Sequence, residues 1–458
     1  MSFDLRAVLN QLEGSGVSIK TVGDFMSPTY EIPGHYMNNA ATVPGSGKTG
    51  HEQAYIYANN GTQFPVLMGL FGNREINRKI LSESCFRDDS LHCKDLSPVW
   101  VDKPVCQESH FQLDLLSLPA LKVTPQDAGA FFTSGVVCAR HHKTGAYTSS
   151  IHRLKVVDKS HVTLALRPGS GLFSCYQEAL KQNKTLPISI CIGIPPVYYL
   201  LTSLSTARFS SGICKLKEMS KVVGQAVRIA KNVTNSAYCY ADSEIVIEGE
   251  MTTTTCNESN RKAEAYSMPE FLGYMGEAKE NLPLVKITGI FHRENPIYQT
   301  FLGPGKEQSE LLAIPTEISL KEVVRKEFDQ FFDLMDVYCP SYGGGQLSVI
   351  LSIRRKSHFI PFSELRDFIY EHHPLCKHVY VVDDDIDHLS SEDFLWAMTT
   401  RFQVSQDTYL RKVPGFIMDP SQYTGYMNSK DPESDLTLYD LTKPLKISNR
   451  FVRYQQIL

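Results

Sequence analysis

No Cys-x-x-Cys pair occurs in this chain, although it has eleven cysteines, at 85, 93, 106, 138, 175, 191, 214, 239, 256, 339 and 376. A structural zinc site needs closely spaced ligands and a secreted disulfide framework needs a regular set, so scattered single cysteines read as free thiols in a reducing compartment. Long apolar runs are missing as well. No stretch reaches the roughly 18 apolar residues that span a bilayer. The N-terminal MSFDLRAVLNQLEGSG contains Asp4 and lacks the apolar core, about 7–15 residues long, of a secretory signal. A cytoplasmic protein without a membrane partner is expected. Charge of one sign is equally scarce: 46 Lys and Arg face 50 Asp and Glu, a formal net charge of −4, with no basic run. Holding nucleic acid by phosphate neutralisation needs such a run, so that class is excluded first. Internal repeats and low-complexity segments are also absent.

What is present is enough for a sizeable core: 458 residues, 42% of them hydrophobic, or two to four domains at about 100–200 residues each. Residues 4–12 have amphipathic helical spacing, ended by Gly14-Ser15-Gly16. PVLMGLFGN has strand composition closed by a turn, and INRKILSES after it reads as helix. Residues 1–115 are therefore expected to form an α/β domain. Between 116 and 312 short β-branched runs alternate with turns: HRLKVVD, HVTLALRP, PISICIGI, SEIVIEGEM and LVKITGIFH. Two helix-like segments interrupt them, near 173–182 and 212–223, and the pattern suggests a largely antiparallel, barrel-like central domain. Residues 313–458 return to α/β, with helix SLKEVVRKEFDQFFDLM, strand QLSVILSI, helix FSELRDFIYEH and strand HVYVVDDD, then an extended tail after about 414.

Several motifs invite chemistry. Gly45-Ser46-Gly47-Lys48-Thr49 has Thr42 where a phosphate loop needs its first glycine and lacks an upstream strand, so it reads as a surface loop. The adjacent pairs His141-His142 and His372-His373 point apart on either a strand or a helix and suit solvated or capping roles. Asp383-Asp384-Asp385-Ile386-Asp387 fits a cation site or a set of caps and turns. The segment Tyr147-Thr148-Ser149-Ser150-Ile151-His152-Arg153 is more informative. Its short side chains let backbone N–H groups approach an anion, and the single arginine offers a planar fork to a carboxylate or phosphate. Glu244, Glu248 and Glu250 follow on a later strand, then Glu270 and Glu277. An arginine with strand glutamates makes either a proton-transfer site or a salt-bridge network.

The order of these segments resembles the UbiD family of decarboxylases over some 330 residues. The resemblance lies in PVLMGLFGN (65–73), TSSIHRLKVVD (148–158), PISICIGIPP (187–196), NVTNSAYCYADSEIVIEGEM (232–251), ITGIFHRENPIYQTFLG (287–303) and VVDDDIDHLSSEDFLWAMTTRF (381–402). It implies an α/β (α+β) fold in which a central split β-barrel of the flavin-reductase-like type lies between an N-terminal α/β domain and a C-terminal α/β oligomerisation domain. It further implies prenylated FMN with a divalent cation and potassium, a flavin prenyltransferase as cofactor supplier, and a homodimer or higher homo-oligomer. The implied reaction is release of CO₂ from an α,β-unsaturated or aromatic small-molecule acid. By the same resemblance Arg153 and Glu270 are catalytic, supported by Glu277, and the cofactor is held by Thr148, Ser149, Ser150, Ile151, His152, Arg153, Ser170, Gly171 and Lys215. Three positions depart from the family pattern: Thr148, Gly171 and Lys215 stand where metal-binding Asn, His and Glu are expected, although Glu218 is one helical turn from Lys215, and no metal ligand is assigned. The phosphate-binding lysine of the family's tail has Lys430 as its nearest counterpart. Lys215 with Ser149, Ser150 and Ser170 offers compensation at a metal-free phosphate site. Two alternatives accompany this reading: a catalytically degenerate subunit that partners an active homologue, and a decarboxylase that no longer uses prenylated FMN.

Overall fold

The β-branched runs pair into antiparallel sheet, and the apolar-periodic segments lie on it as helices. The computed structural model describes residues 4–39, 52–84, 96–202, 215–260, 266–270, 272–415, 419, 421, 433–451 and 453. Gly45–Thr49 and Lys430 lie outside the described residues. The chain divides into two compact units, Met1–Leu311 and Leu312–Leu458.

The first unit is organised by a nine-stranded sheet. Its order is Phe131–Phe132, Leu154–Val156, His161–Leu164, Leu282–His292, Ile245–Cys256, Leu186–Ile192, Val136–Arg140 and Tyr147–Ile151, with Ser109–Phe111 also on the Leu282–His292 strand. The described strands form an open path with two ends and close no barrel, a coarser architecture than the split barrel implied by the resemblance. Inward residues of this sheet, among them Val137, Leu154, Val162, Ile190, Ile247 and Ile287, form a continuous core. Helix Gly171–Lys181 covers it with Leu172, Cys175, Tyr176 and Ala179, a one-sided stripe at i, i+3, i+4 and i+7. The helix starts where it does because Ser170 Oγ accepts from Phe173 N at 3.1 Å. Helix Lys215–Val223 repeats the stripe with Leu216, Met219, Ser220 and Val223. A four-stranded sheet, Ile19–Val22, Ala54–Tyr57, Val66–Met68 and Tyr298–Gln299, joins the start of this unit to its end. At the N-terminus Asp4 caps helix Leu5–Gly14, which exposes Gly16 at φ +84 immediately after it.

The second unit is a five-stranded sheet in the order Phe332–Tyr338, Ser348–Arg355, His378–Asp383, Glu433–Asp440, Thr408–Pro414. One element corrects the expected extended tail after 414. Glu433–Asp440 pairs parallel to His378–Asp383 and antiparallel to Thr408–Pro414, so it is an interior strand. The aspartate cluster is structural: Arg401 donates to Asp383 at 3.1 Å and to Asp385 at 3.0 and 2.8 Å, and Lys443 pairs with Asp385 at 2.9 Å. The paired histidines likewise serve the backbone. His141 Nδ1 accepts from Thr144 N at 3.2 Å, and His373 Nε2 bonds the Gln346 carbonyl at 2.8 Å. The eight described cysteines are free thiols. No described helix is long and apolar enough to cross a membrane.

Candidate functional site

Arg153 sits where the chain leaves the edge strand Tyr147–Ile151 and enters Leu154–Val156. His152 N donates to Gly135 O at 3.0 Å, which pins this corner to the neighbouring strand. From here the guanidinium meets two carboxylates. Glu258, only 1% exposed, takes one edge: its Oε1 lies 3.2 Å from Nε, and its Oε2 accepts from Nη2 at 3.2 Å. Glu270 takes Nη1 through Oε1 in a close ion pair. The Arg153 and Glu270 side chains are 15% and 19% exposed, so both are enclosed yet within reach of a small ligand.

Backbone contacts fix this cluster. Glu258 N donates to Lys279 O at 2.8 Å and Glu258 Oε2 accepts from Lys279 N at 3.0 Å, so the buried carboxylate is held from both sides. Glu270 follows strand Tyr266–Pro269, which pairs antiparallel with Met275–Glu277; Glu270 N donates to Tyr274 O at 2.8 Å. Two glycines make room for it. A Cβ on Gly276 would stand 2.6 Å from Glu270 Oε1, and one on Gly303 would stand 1.9 Å from Pro269 O. Lys155 and Lys279 border the cluster. Burial pushes both amines below their ordinary value, and for Lys279 the nearby Arg153 charge adds to the effect.

Glu277, expected as support, is exposed, lies across the hairpin from Tyr266, and makes no ion pair with Arg153 among the described residues. The second carboxylate at Arg153 is that of Glu258. Nothing local announced it: it follows a run of threonines and meets its partner across 105 positions of sequence. The strand glutamates belong to a separate network. Glu244, fully buried, accepts from Arg6 at 3.0 and 2.8 Å and from Ile297 N at 3.0 Å, and Glu248 accepts from Val233 N at 2.8 Å and Thr234 N at 2.6 Å. For them the salt-bridge and capping reading is the one the structure shows.

The residues expected around a cofactor phosphate do gather on the Tyr147–Ile151 edge strand. Gly171 opens its helix against Thr148: a Cβ there would stand 2.7 Å from Thr148 Oγ1. Lys215, on the described helix Lys215–Val223, donates from Nζ to Ser149 O at 2.9 Å and to Thr202 O. The hydroxyls expected to help are already engaged. Ser149 Oγ pairs with Tyr240 OH at 2.9 Å, Ser150 Oγ with His152 Nε2 at 2.7 Å, and Ser170 caps its own helix. Ile151 continues the strand, half-buried. His152 Nδ1 bonds the Ala165 carbonyl at 3.0 Å, so Nδ1 bears the proton and Nε2 accepts from Ser150. Burial, reinforced by Lys215 and opposed by that carbonyl, pushes His152 down to about 4, which leaves it neutral near pH 7. As metal donors the three departing positions are unsuitable: one neutral hydroxyl, one residue without a side chain, and one cation. Among the described residues no group of three or more His, Cys, Asp or Glu is placed to hold a metal ion.

Comparison with known proteins places these features in context. The 3-octaprenyl-4-hydroxybenzoate carboxy-lyase Rift-related domain of UbiD matches residues 98–306, and the C-terminal domain of the same family matches 309–431. Gallate decarboxylase of Lactiplantibacillus plantarum is 28% identical over 497 aligned positions, covering 99% of this chain and 96% of that one. The apo 3,4-dihydroxybenzoic acid decarboxylase of Enterobacter cloacae superposes with a TM-score of 0.89 at 27% identity, covering 99% and 97% of the two chains. The UbiD-class enzyme HmfF of Pelotomaculum thermopropionicum, solved with FMN, gives 0.84 at 26% over the same shares. An evolved dimeric form of that enzyme, solved with prFMN, gives 0.81 at 25%, again over 99% and 97%.

Proposed function

Because the chain belongs to the UbiD family of carboxy-lyases, we propose that it decarboxylates a small hydroxylated aromatic acid at the Arg153–Glu258–Glu270 cluster. The decarboxylase activity follows from the family and its relatives; the substrate class and the residue roles are our reading. The observation that supports the roles is the division of one guanidinium between two unlike acids. Glu258 is buried and doubly anchored, whereas Glu270 sits on a turn and is reachable.

Leaving CO₂ strands an electron pair on a ring carbon, and prenylated FMN, when bound, supplies the acceptor for that pair. The chain's own residues do the rest. Glu258 fills the Nε–Nη2 edge of Arg153, so an incoming carboxylate takes Nη1 and displaces Glu270 from it. The displaced Glu270 carboxylate, no longer paired with the guanidinium, takes up a proton from solvent and delivers it to the carbon that CO₂ vacates, which returns Glu270 to the carboxylate that pairs again with Arg153. The enclosure of Arg153, 15% exposed, strengthens its contact with the carboxylate. For the flavin, the short-chained edge strand with Lys215 at its side matches the chemistry of a phosphate donor set; no step is assigned to a divalent cation or to potassium. A homo-oligomer and a prenyltransferase supplier belong to the same reading.

Release of CO₂ from 3,4-dihydroxybenzoate by protein co-expressed with a flavin prenyltransferase tests it. Arg153→Ala is expected to abolish turnover, and Glu270→Gln to lower kcat by roughly 10²–10⁴, with circular dichroism unchanged in both. Undiminished turnover in Arg153→Ala overturns the assignment.

A further inference from the structure

We infer that Lys215 takes the place of the divalent cation expected at this position, so that the chain binds the phosphate of FMN without a metal. The inference rests on the flavin reading above and concerns only the phosphate end of that site.

The donor set points first. A divalent cation needs several oxygen or imidazole ligands. Here Thr148 offers one neutral oxygen, Gly171 offers nothing, and Lys215 would repel the ion. The state of Lys215 points the same way. Its ammonium end is enclosed, and its partners among the described residues are two backbone carbonyls, Ser149 O at 2.9 Å and Thr202 O. Carbonyl oxygens orient a cation but do not neutralise it, and an enclosed charge is costly unless an opposite charge meets it. No carboxylate among the described residues pairs with Lys215, and the preceding residues 203–214 contain no Asp or Glu. Burial accordingly pushes Lys215 down to about 8. An ammonium has three donors. Two are spent on the carbonyls and one is left for an anion.

The neighbourhood adds positive potential, and Glu218, one turn along the same helix, is already paired with Lys221 Nζ at 2.7 Å. Gly171 begins an eleven-residue helix, capped by Ser170, against Thr148, so this helix turns its positive end toward the edge strand on which Ser149 receives Lys215. His152, in the same corner, is kept neutral by burial, and its two ring nitrogens are taken up by Ala165 O and Ser150 Oγ. A phosphate dianion is the complement of this arrangement, since it supplies the charge that Lys215 lacks and accepts several hydrogen bonds at once.

Calorimetric titration of the full-length apoprotein with FMN, once in EDTA and once in excess Mn²⁺, tests the inference. Equal affinity in both buffers, within about threefold, is expected, together with no stoichiometric metal by elemental analysis. Lys215→Met is expected to weaken FMN by at least about tenfold, and Lys215→Arg to keep most of the affinity. Riboflavin, which lacks the phosphate, is expected to bind wild type and Lys215→Met alike, which separates charge from packing. Binding that requires Mn²⁺, one metal per flavin, FMN affinity unchanged in Lys215→Met, or no FMN binding in either buffer each overturns the inference. Decarboxylation is read separately on prenyltransferase co-expressed protein: its absence with metal-free FMN binding intact strikes the catalytic reading and leaves the role of Lys215 standing.

Discussion

At the scale of single residues, the chemistry depends on how one guanidinium is shared. In the proposed reaction Glu258 is the positioning residue, because its carboxylate is anchored to Lys279 N and faces two nitrogens of Arg153. In Glu258→Gln one anchoring acceptor becomes an NH₂ group directed at a cation. A hydrogen bond to a charged group is worth about 1.5–3 kcal/mol, so kcat/KM is expected to fall by roughly ten- to a hundredfold. The larger part of the loss falls on KM, since Arg153 then receives the substrate carboxylate in several orientations. Glu258→Asp should recover part of it. Steady-state kinetics on the three proteins check this, and an unchanged KM in Glu258→Gln would remove Glu258 from the site. Arg153 and Glu270 were legible in the sequence because each lies in a segment whose order and spacing resemble a known family. Glu258 was not, since a carboxylate that meets its partner through a long-range fold contact leaves no local periodicity to read. Glu277 misled for the converse reason: it has the right residue type near the right place, but strand alternation turns it to the exposed side of its hairpin.

Among elements, the hairpin that holds Glu270 is where small size matters. Gly303 passes so close to the Tyr266–Pro269 strand that a Cβ would lie 1.9 Å from the Pro269 carbonyl oxygen, a backbone atom that cannot rotate away. Gly303→Ala must therefore move the strand that ends at Glu270. A displacement near 1 Å at a reacting group costs about 10²-fold in rate, and a loss of that order is expected, with a melting temperature lowered by several degrees. Gly23→Ala, where a Cβ meets nothing within 4 Å, is the control and should match wild type. Equal activity in the two variants would show that the hairpin position does not matter. Helices were the most legible elements, since Asp4 and Ser170 cap helices whose apolar stripes follow at i, i+3, i+4 and i+7. The strands of the central region were legible from β-branched runs, but their closure was not, because pairing order is set by packing across the sheet. Glu433–Asp440 escaped notice because ESDLTLYD begins with polar residues and stands in a stretch rich in Pro, Ser and Asp, and only its parallel and antiparallel neighbours make it an interior strand.

Over the whole first unit, stability is tied to a pair of buried acids outside the catalytic cluster. Glu52 accepts from Lys306 N at 2.6 Å, Glu307 N at 3.0 Å and Tyr36 OH at 3.0 Å, while Glu307 accepts from Gly69 N at 3.0 Å and Phe71 N at 3.2 Å. The two carboxyls thus join the start of helix Lys306–Phe328 to the turn after Val66–Met68, a link between distant parts of the chain. Burial, with Glu52 beside it, pushes Glu307 up to about 8 from 4.5. The folded state therefore holds a proton there that the unfolded state has released between those values. Stability falls as pH rises through that window, by at most about 1.4 kcal/mol per pH unit. His152 acts in the opposite sense: pushed down to about 4 from 6.5, it lowers stability as pH falls through that lower window. The two slopes oppose each other between about 4.5 and 6.5, and above 6.5 Glu307 acts without that opposition. Glu307→Gln keeps an acceptor for the Gly69 and Phe71 amides but has no proton to lose. Its urea midpoint is expected to equal that of wild type near pH 4.5 and to exceed it progressively up to pH 8, and the difference between the two proteins cancels titrating groups remote from Glu307. A constant difference across that range would mean that Glu307 stays ionised in the folded chain.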